Sequence, residues 1–237
     1  MNNTTFDRAS LRLSATLLLV GQILYVLVTL LHTGGEANHH EAIFAAYAAS
    51  GIWAGVHAAQ FACMAIFLGG LLALYFALDF QTDTARWAGR FGAAATVVTL
   101  ALCGGVLAVD GVALKQAVNA WANAPETEKA ARFAVAEGVR WLEWGMRSYE
   151  NFALGLAVLM FAVAVLRSSR VPRPIGFVMG LAAATYFLQG WAAGTEGFSP
   201  AQTITIILAE VLNAVWMTWL VVVAWRKLDS KIPVASR

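Results

Sequence analysis

The sequence predicts an all-α protein, a polytopic integral membrane bundle of about six transmembrane helices with both termini cytoplasmic. Three observations predict it. Of 237 residues, 59% are apolar and only 13% charged, and the mean hydropathy is +0.66. A soluble domain carries about 25% charged residues. Six stretches hold the roughly 20 mostly apolar residues needed to cross a hydrocarbon core about 30 Å thick. The basic residues fall on alternate connections between those stretches.

The expected spans are Leu13–Leu31, Gly51–Leu78, Phe91–Val112, Ser148–Leu166, Ile175–Ala193 and Ala201–Trp225. The apolar run from Leu11 exceeds the roughly 7–15 residues of a signal h-region and no A-x-A-like site follows Leu31, so it reads as an uncleaved first span. Span 2 and the stretch before span 4 are longer than a bilayer requires. Some helix there must tilt, break or project into water. Pro172 and Pro174 bracket the start of span 5, where proline suits a helix's first turn. Ser199 is a candidate N-cap for span 6, and Asn123-Ala124-Pro125 is a break. One domain, 1–237, suffices, with 32–50 and 113–147 forming extracytoplasmic loops or helix extensions over an outer pocket. Gly176/Gly180 and Gly190/Gly194 have the spacing that lets helices approach closely, either within the bundle or at an oligomer seam.

Orientation follows from charge. Arg8, Arg12, Arg86, Arg90, Arg167, Arg170, Arg173, Arg226, Lys227, Lys231 and Arg237 would share one side, eleven of the sixteen basic residues. Positive charge marks the cytoplasmic side. The expected location is therefore the plasma or inner membrane, N-in and C-in. A net charge of +2 provides no field for a polyanion, which excludes nucleic acid as a partner. Cys63 and Cys103 form no CxxC motif and read as small buried hydrophobes.

The polar interruptions carry the functional information. Positions spaced 3, 4 and 7 share a helix face. Each span has one polar stripe, and lipid penalises such a stripe unless it turns inward. At 1.5 Å per residue, His32, His57 and Asp110 lie about 30 Å from the inner boundary, and Glu150 and Glu210 about 22–25 Å. The inner half is almost free of ionisable groups. The expectation is an outward-opening polar pocket with an apolar plug beneath it. Arg140, Glu143, Arg147 and Glu150 can equally form a self-neutralised ladder, and His39 and His40 read as solvated loop residues. Glu210, inside the apolar run Ile204–Trp219 with Asn213 as its polar neighbour, is the hardest to explain by structure alone.

The reading that ranks first is an enzyme acting on a lipophilic, isoprenoid- or lipid-like substrate. Glu150 and Glu210 would act as acid and base, with His57 and Asp110 as a second relay. Trp53, Gln60, Trp144, Arg147, Tyr149, Asn151, Tyr186, Gln189 and Asn213 would line the substrate. Isomerisation, cyclisation, hydration and hydrolysis all fit these parts. A metal-assisted variant uses His32, His57 and Asp110, joined by Glu210 or by His39, His40 and Glu41 from the loop. No HExxH motif supports it, no cofactor is required by the sequence, and haem between His32 and His57 ranks below a divalent ion. A proton-coupled transporter is the second reading, weakened by the absence of an evident inverted repeat. A non-catalytic membrane subunit or sensor is the third. The partners expected are the bilayer and a lipophilic small molecule.

Overall fold

A computed structural model describes residues 8–36 and 38–226. Lys227, Lys231 and Arg237, used above for orientation, lie outside the described residues, as do residues 1–7. The fold is all-helical, with no strand among the described residues. Its elements are α1 (Arg8–Thr29), α2 (His40–Ala49), α3 (Trp53–Ala77), α4 (Asp83–Ala108), a π-helical turn (Val109–Leu114), α5 (Lys115–Ala122), α6 (Glu126–Leu166), α7 (Arg173–Glu196) and α8 (Pro200–Trp225). Six helices are long and apolar enough to cross a membrane, with α4, the π turn and α5 counting as one.

The starts and stops have local causes. Thr82 caps α4 by accepting from Ala85 N at 3.2 Å, and Ser199 caps α8 by accepting from Gln202 N at 3.3 Å. Pro172 precedes α7 and Pro200 opens α8. Asn123 to Pro125 break the chain between α5 and α6 as expected. The long prelude to the fourth expected span begins after the break, and α6 carries it and the span through 41 residues without interruption. The stretch 32–50 contains α2, ten residues that are too short to span and that pack Ile43, Phe44 and Tyr47 inward.

Two apolar clusters frame the interior. The larger joins Leu11, Leu18, Leu71, Leu74, Phe161, Ile175, Met179, Trp216 and Leu220 toward the end where α1 begins and α8 finishes. The smaller, Ile43, Phe44, Tyr47, Trp53, Leu114, Val118 and Ala136, sits at the opposite end and makes α2, α5 and the start of α6 a cap. The outward faces are apolar too: Leu27, Phe76, Val97, Leu181, Ile207 and Val215 are exposed. Helices that are apolar on both faces rely on close packing with one another. Gly190 and Gly194 supply part of it, because a Cβ at either would strike Ser148 or Phe152 on α6. Gly176 likewise abuts Ala162 and Leu166 of α6. Gly176, Gly190 and Gly194 thus lie in contact with α6, whereas Gly180 faces open space.

The basic end is pinned by polar contacts. Arg12 Nε donates to Ala224 O at 3.2 Å, and Arg170 donates to Ala77 O at 3.0 Å. Asp79 accepts from the Ser168 and Ser169 hydroxyls and from Gln81. Burial pushes the Asp79 carboxyl up, but these hydrogen bonds outweigh it and hold the group down at about 2.

Candidate functional site

Between the two apolar clusters lies a cavity of about 360 Å³. The long helix α6 sets its floor plan. Arg140, Glu143, Arg147 and Glu150 recur at spacings of 3, 4 and 3, which puts them on one face, and all four line the cavity. They do pair: Arg140–Glu143 at 2.7 Å and Arg147–Glu150 at 2.8 Å. The ladder and the pocket lining are thus one structure.

Other helices complete the wall. Gln22 and Tyr25 come from α1, Gln60 and Met64 from α3, Asp110 from the π turn, Tyr186 and Gln189 from α7, and Gln202, Ile206 and Glu210 from α8. Gln22 Nε2 donates to Glu210 Oε2 at 2.5 Å, a bridge from α1 to α8. Gln60 donates to the Thr29 hydroxyl at 3.2 Å. Asn213 Nδ2 donates to the Tyr186 hydroxyl at 2.6 Å, and Trp216 Nε1 donates to Asn213 Oδ1 at 2.9 Å. The Tyr186 oxygen thereby accepts from behind and keeps its own proton for the cavity.

The outer rim is closed by the segment after α1. His32, Thr33, Gly34 and Gly35 line the cavity together with Ile43 and Tyr47 of α2. Arg140 donates to the Tyr47 hydroxyl at 3.2 Å and lies 4.5 Å from the centre of the Phe198 ring. Burial drives the Tyr47 hydroxyl up to about 12, with Arg140 pulling the other way, so it stays a neutral donor and acceptor. Gly197 has φ +66°, and a Cβ there would fall 2.6 Å from the Trp144 ring. That close turn between α7 and α8 brings Phe198 over Arg140.

His57 stands behind Asp110. Its Nδ1 donates to Trp53 O at 2.7 Å, and its Nε2 lies 3.0 Å from Asp110 Oδ2. Trp53 Nε1 donates to Asp110 O at 3.1 Å, tying α3 to the π turn. A Cβ at Gly111 would meet His57 Cβ at 2.7 Å, so only glycine lets the turn approach this closely. A π turn in an otherwise α-helical rod is rare and frequent at functional sites.

Set against the sequence expectations, Asp110, Glu150, Glu210, Gln60, Arg147, Asn151, Tyr186 and Gln189 all line the one cavity. His57 and Trp53 lie directly behind its wall. Three expected substrate residues lie off this cavity wall. Tyr149 is 68% exposed on the outer surface, because it stands about 200° around the helix from Arg147 and so turns away from the stripe. Asn213 is fully buried and spends its amide on Tyr186 and Trp216. Trp144 packs against His40, Phe198 and Gly197 outside the lining. His40 is not a solvated loop residue: it begins α2, stacks on Phe44 and pairs with Glu137 at 2.8 Å, which also removes it from any metal set at the cavity. His39 is exposed. Glu210 is held by Gln22 and lies outside the cluster of His32, His57 and Asp110.

Comparison with protein-family models, with curated proteins and with solved structures finds no match to this chain. Its chemistry must be read from the cavity itself. Residues that the sequence stripes overlooked include Tyr47 and Phe198. The signal for Tyr47 was present, since Ile43, Phe44 and Tyr47 repeat at i, i+1 and i+4, the pattern of one buried helix face. Phe198 lies in a turn and carries no periodic signal.

Proposed function

We propose that this chain is a membrane-embedded enzyme that performs acid–base chemistry on a lipophilic substrate within the cavity. The observation that carries the proposal is the gathering of Glu150, Glu210, Asp110, Tyr25 and Tyr186 around one space while the far end of the bundle is packed with apolar side chains. The protein sits in the plasma or inner membrane as a multi-pass bundle. Its described basic end, with Arg8, Arg12, Arg86, Arg90, Arg167, Arg170, Arg173 and Arg226, faces the cytoplasm, and both termini lie on that side. The cavity then lies nearer the opposite face. Intramembrane ionisable groups mark function by default.

In this reading the two carboxylates divide the work. Glu150 accepts from Arg147 and is the base; Glu210, bonded to the neutral Gln22 amide, is the acid. Tyr186, oriented by Asn213, donates to the oxygen on which charge develops. Met64, Phe67, Leu154 and Ile206 give the cavity an apolar lower wall suited to a hydrocarbon chain. Ile206 is also 38% exposed on α8, next to the Gln22–Glu210 bridge, which makes the α1–α8 side the route from lipid.

The test is a comparison of membrane lipids from cells expressing the wild type, E150Q or E210Q at equal protein levels, read by mass spectrometry. A lipid species converted by the wild type should be converted about 10²–10⁴-fold more slowly by either variant. Conversion at equal rates by all three, or no species that changes with the wild type, removes the proposal.

A further inference from the structure

The geometry points to a divalent transition-metal site of the zinc class formed by His32, His57 and Asp110 at the outer wall of the cavity. One ligand atom from each of these residues lies within 4.8 Å of the others. They arrive on three separate elements: the segment after α1, helix α3 and the π turn. Nothing about local helix spacing brings them together.

The hydrogen atoms are placed as a metal site needs them. A backbone carbonyl can only accept, so His57 Nδ1, 2.7 Å from Trp53 O, carries its proton there. His32 Nδ1 lies 3.1 Å from Thr33 O and is fixed in the same sense. In each neutral ring Nε2 is then the nitrogen left with a lone pair for a cation. Metal-binding histidines characteristically spend their other nitrogen on a carbonyl or carboxylate in this way. The Trp53 ring, 4.6 Å from that of His57 and 5.0 Å from that of His32, fixes both orientations.

The second, independent observation is unmet polar capacity. His57 is 3% exposed and Asp110 5%. His57 Nε2 and Asp110 Oδ1 are nonetheless both without a hydrogen-bond partner among the described residues. The 3.0 Å approach of Nε2 to Oδ2 is close in distance but lacks hydrogen-bond alignment. Two buried groups in this state are costly unless a proton or a cation lies between them, and a proton on Nε2 would still leave Asp110 Oδ1 without a partner. A cation satisfies both at once, and it also offsets the excess of carboxylates over arginines on the cavity wall.

Two nitrogens and one oxygen suit zinc, whose ligands lie about 2.0–2.2 Å from the metal. Atoms at such distances sit about 3.3 Å apart, close to the His57–Asp110 separation. His32, on the segment between α1 and α2, is the ligand that closes in. Three protein ligands leave a coordination position open. Because His32 and Asp110 themselves line the cavity, that position faces the space shared with Glu143 and Glu150. The inference adds a cation to the same cavity as the proposed carboxylate chemistry, but its test does not depend on turnover.

The full-length protein, purified in detergent and stripped with a chelator, is titrated with CoCl2 and ZnCl2. The expected result is one ion per chain, visible d–d absorption on cobalt binding, and its displacement by zinc. D110N and H32Q should each weaken binding at least tenfold. H32Q lies outside any helix and serves where a buried variant fails to fold. The exposed-residue variant H39Q, and also E210Q, should bind as the wild type does. Wild-type binding no tighter than that of H32Q and D110N overturns the site, as does equal weakening by H39Q. Loss of lipid conversion in E210Q with metal binding intact separates the failure of one reading from the failure of the other.

Discussion

The Arg140–Glu143 pair permits a sharp energetic test. Both side chains are about 1% exposed, and the guanidinium reaches Glu143 at 2.7 Å and the Tyr47 hydroxyl at 3.2 Å. Substituting E143Q keeps the volume but leaves the arginine charge buried without its carboxylate. Breaking a buried pair in this way costs about 3–5 kcal/mol. The Phe198 face, 4.5 Å away, returns no more than about 2 kcal/mol and is already in use. R140M leaves the opposite charge stranded at a comparable cost. The double variant R140M/E143Q has no stranded charge. It loses the arginine's neutral bonds, that to Tyr47 among them, at about 1 kcal/mol each, plus some packing, and these losses are shared with R140M and cancel in the cycle. The coupling energy from the cycle should therefore exceed about 2 kcal/mol. Unfolding of the purified variants by SDS in mixed micelles, followed by circular dichroism, measures it. Single variants whose losses add to the double within about 0.5 kcal/mol would refute the reasoning, since the two charges would then be solvated independently despite their burial.

Further expectations follow from other parts of the molecule. At the basic end, D79N should cost about 1 kcal/mol at neutral pH after allowance for solvent screening. Because the folded Asp79 carboxyl is held down at about 2, its contribution is present above the unfolded value near 3.9 and is lost as pH falls toward 2; acid titration of stability should show this loss in the wild type and not in D79N. G111A places a Cβ 2.7 Å from His57 Cβ, so it should destabilise by about 1–3 kcal/mol and weaken cobalt binding by moving His57 off Asp110. Y149A, on the outer surface, should change stability by less than about 0.5 kcal/mol, whereas Y186F should cost about 1–3 kcal/mol by leaving the Asn213 amide without its acceptor. Thermal melting of the purified proteins distinguishes these last two.

What was legible in the sequence divides along a physical line. Position along a helix axis is fixed by a rise of 1.5 Å per residue, so the depths of Asp110, Glu150 and Glu210 could be counted from the chain, and the cavity gathers all three. Rotation about the axis is not fixed in this way. Tyr149 and Glu150 are adjacent in sequence and equal in depth, yet one is on the outer surface and the other on the cavity wall. The 100° step between neighbours separates the two, but which side of α6 meets α7 is set by Gly190 and Gly194 accepting Ser148 and Phe152 at contact distance. Asn213 shows the same limit at finer grain. It shares the polar stripe of Glu210, but it is fully buried behind Tyr186, with its amide bonded to that hydroxyl and to the Trp216 indole.

The π turn is where counting itself fails. A helical wheel assumes a constant 3.6 residues per turn, and six residues from Val109 to Leu114 depart from it. Beyond that point the α4 stripe no longer predicts which residues share a face. The consequence is local and specific: the widened turn, with Gly111 at the contact, moves the Asp110 carboxylate beside His57 while keeping it on the cavity wall. An α-helix that kept its register, or a side chain at 111, would hold the two groups apart. The π turn thus coincides with the cluster of His32, His57 and Asp110 and with two buried atoms that lack partners, His57 Nε2 and Asp110 Oδ1. Were this rod to cross a bilayer as proposed, such irregularity would be tolerated where it is enclosed by protein or lines a polar cavity, and the π turn does both.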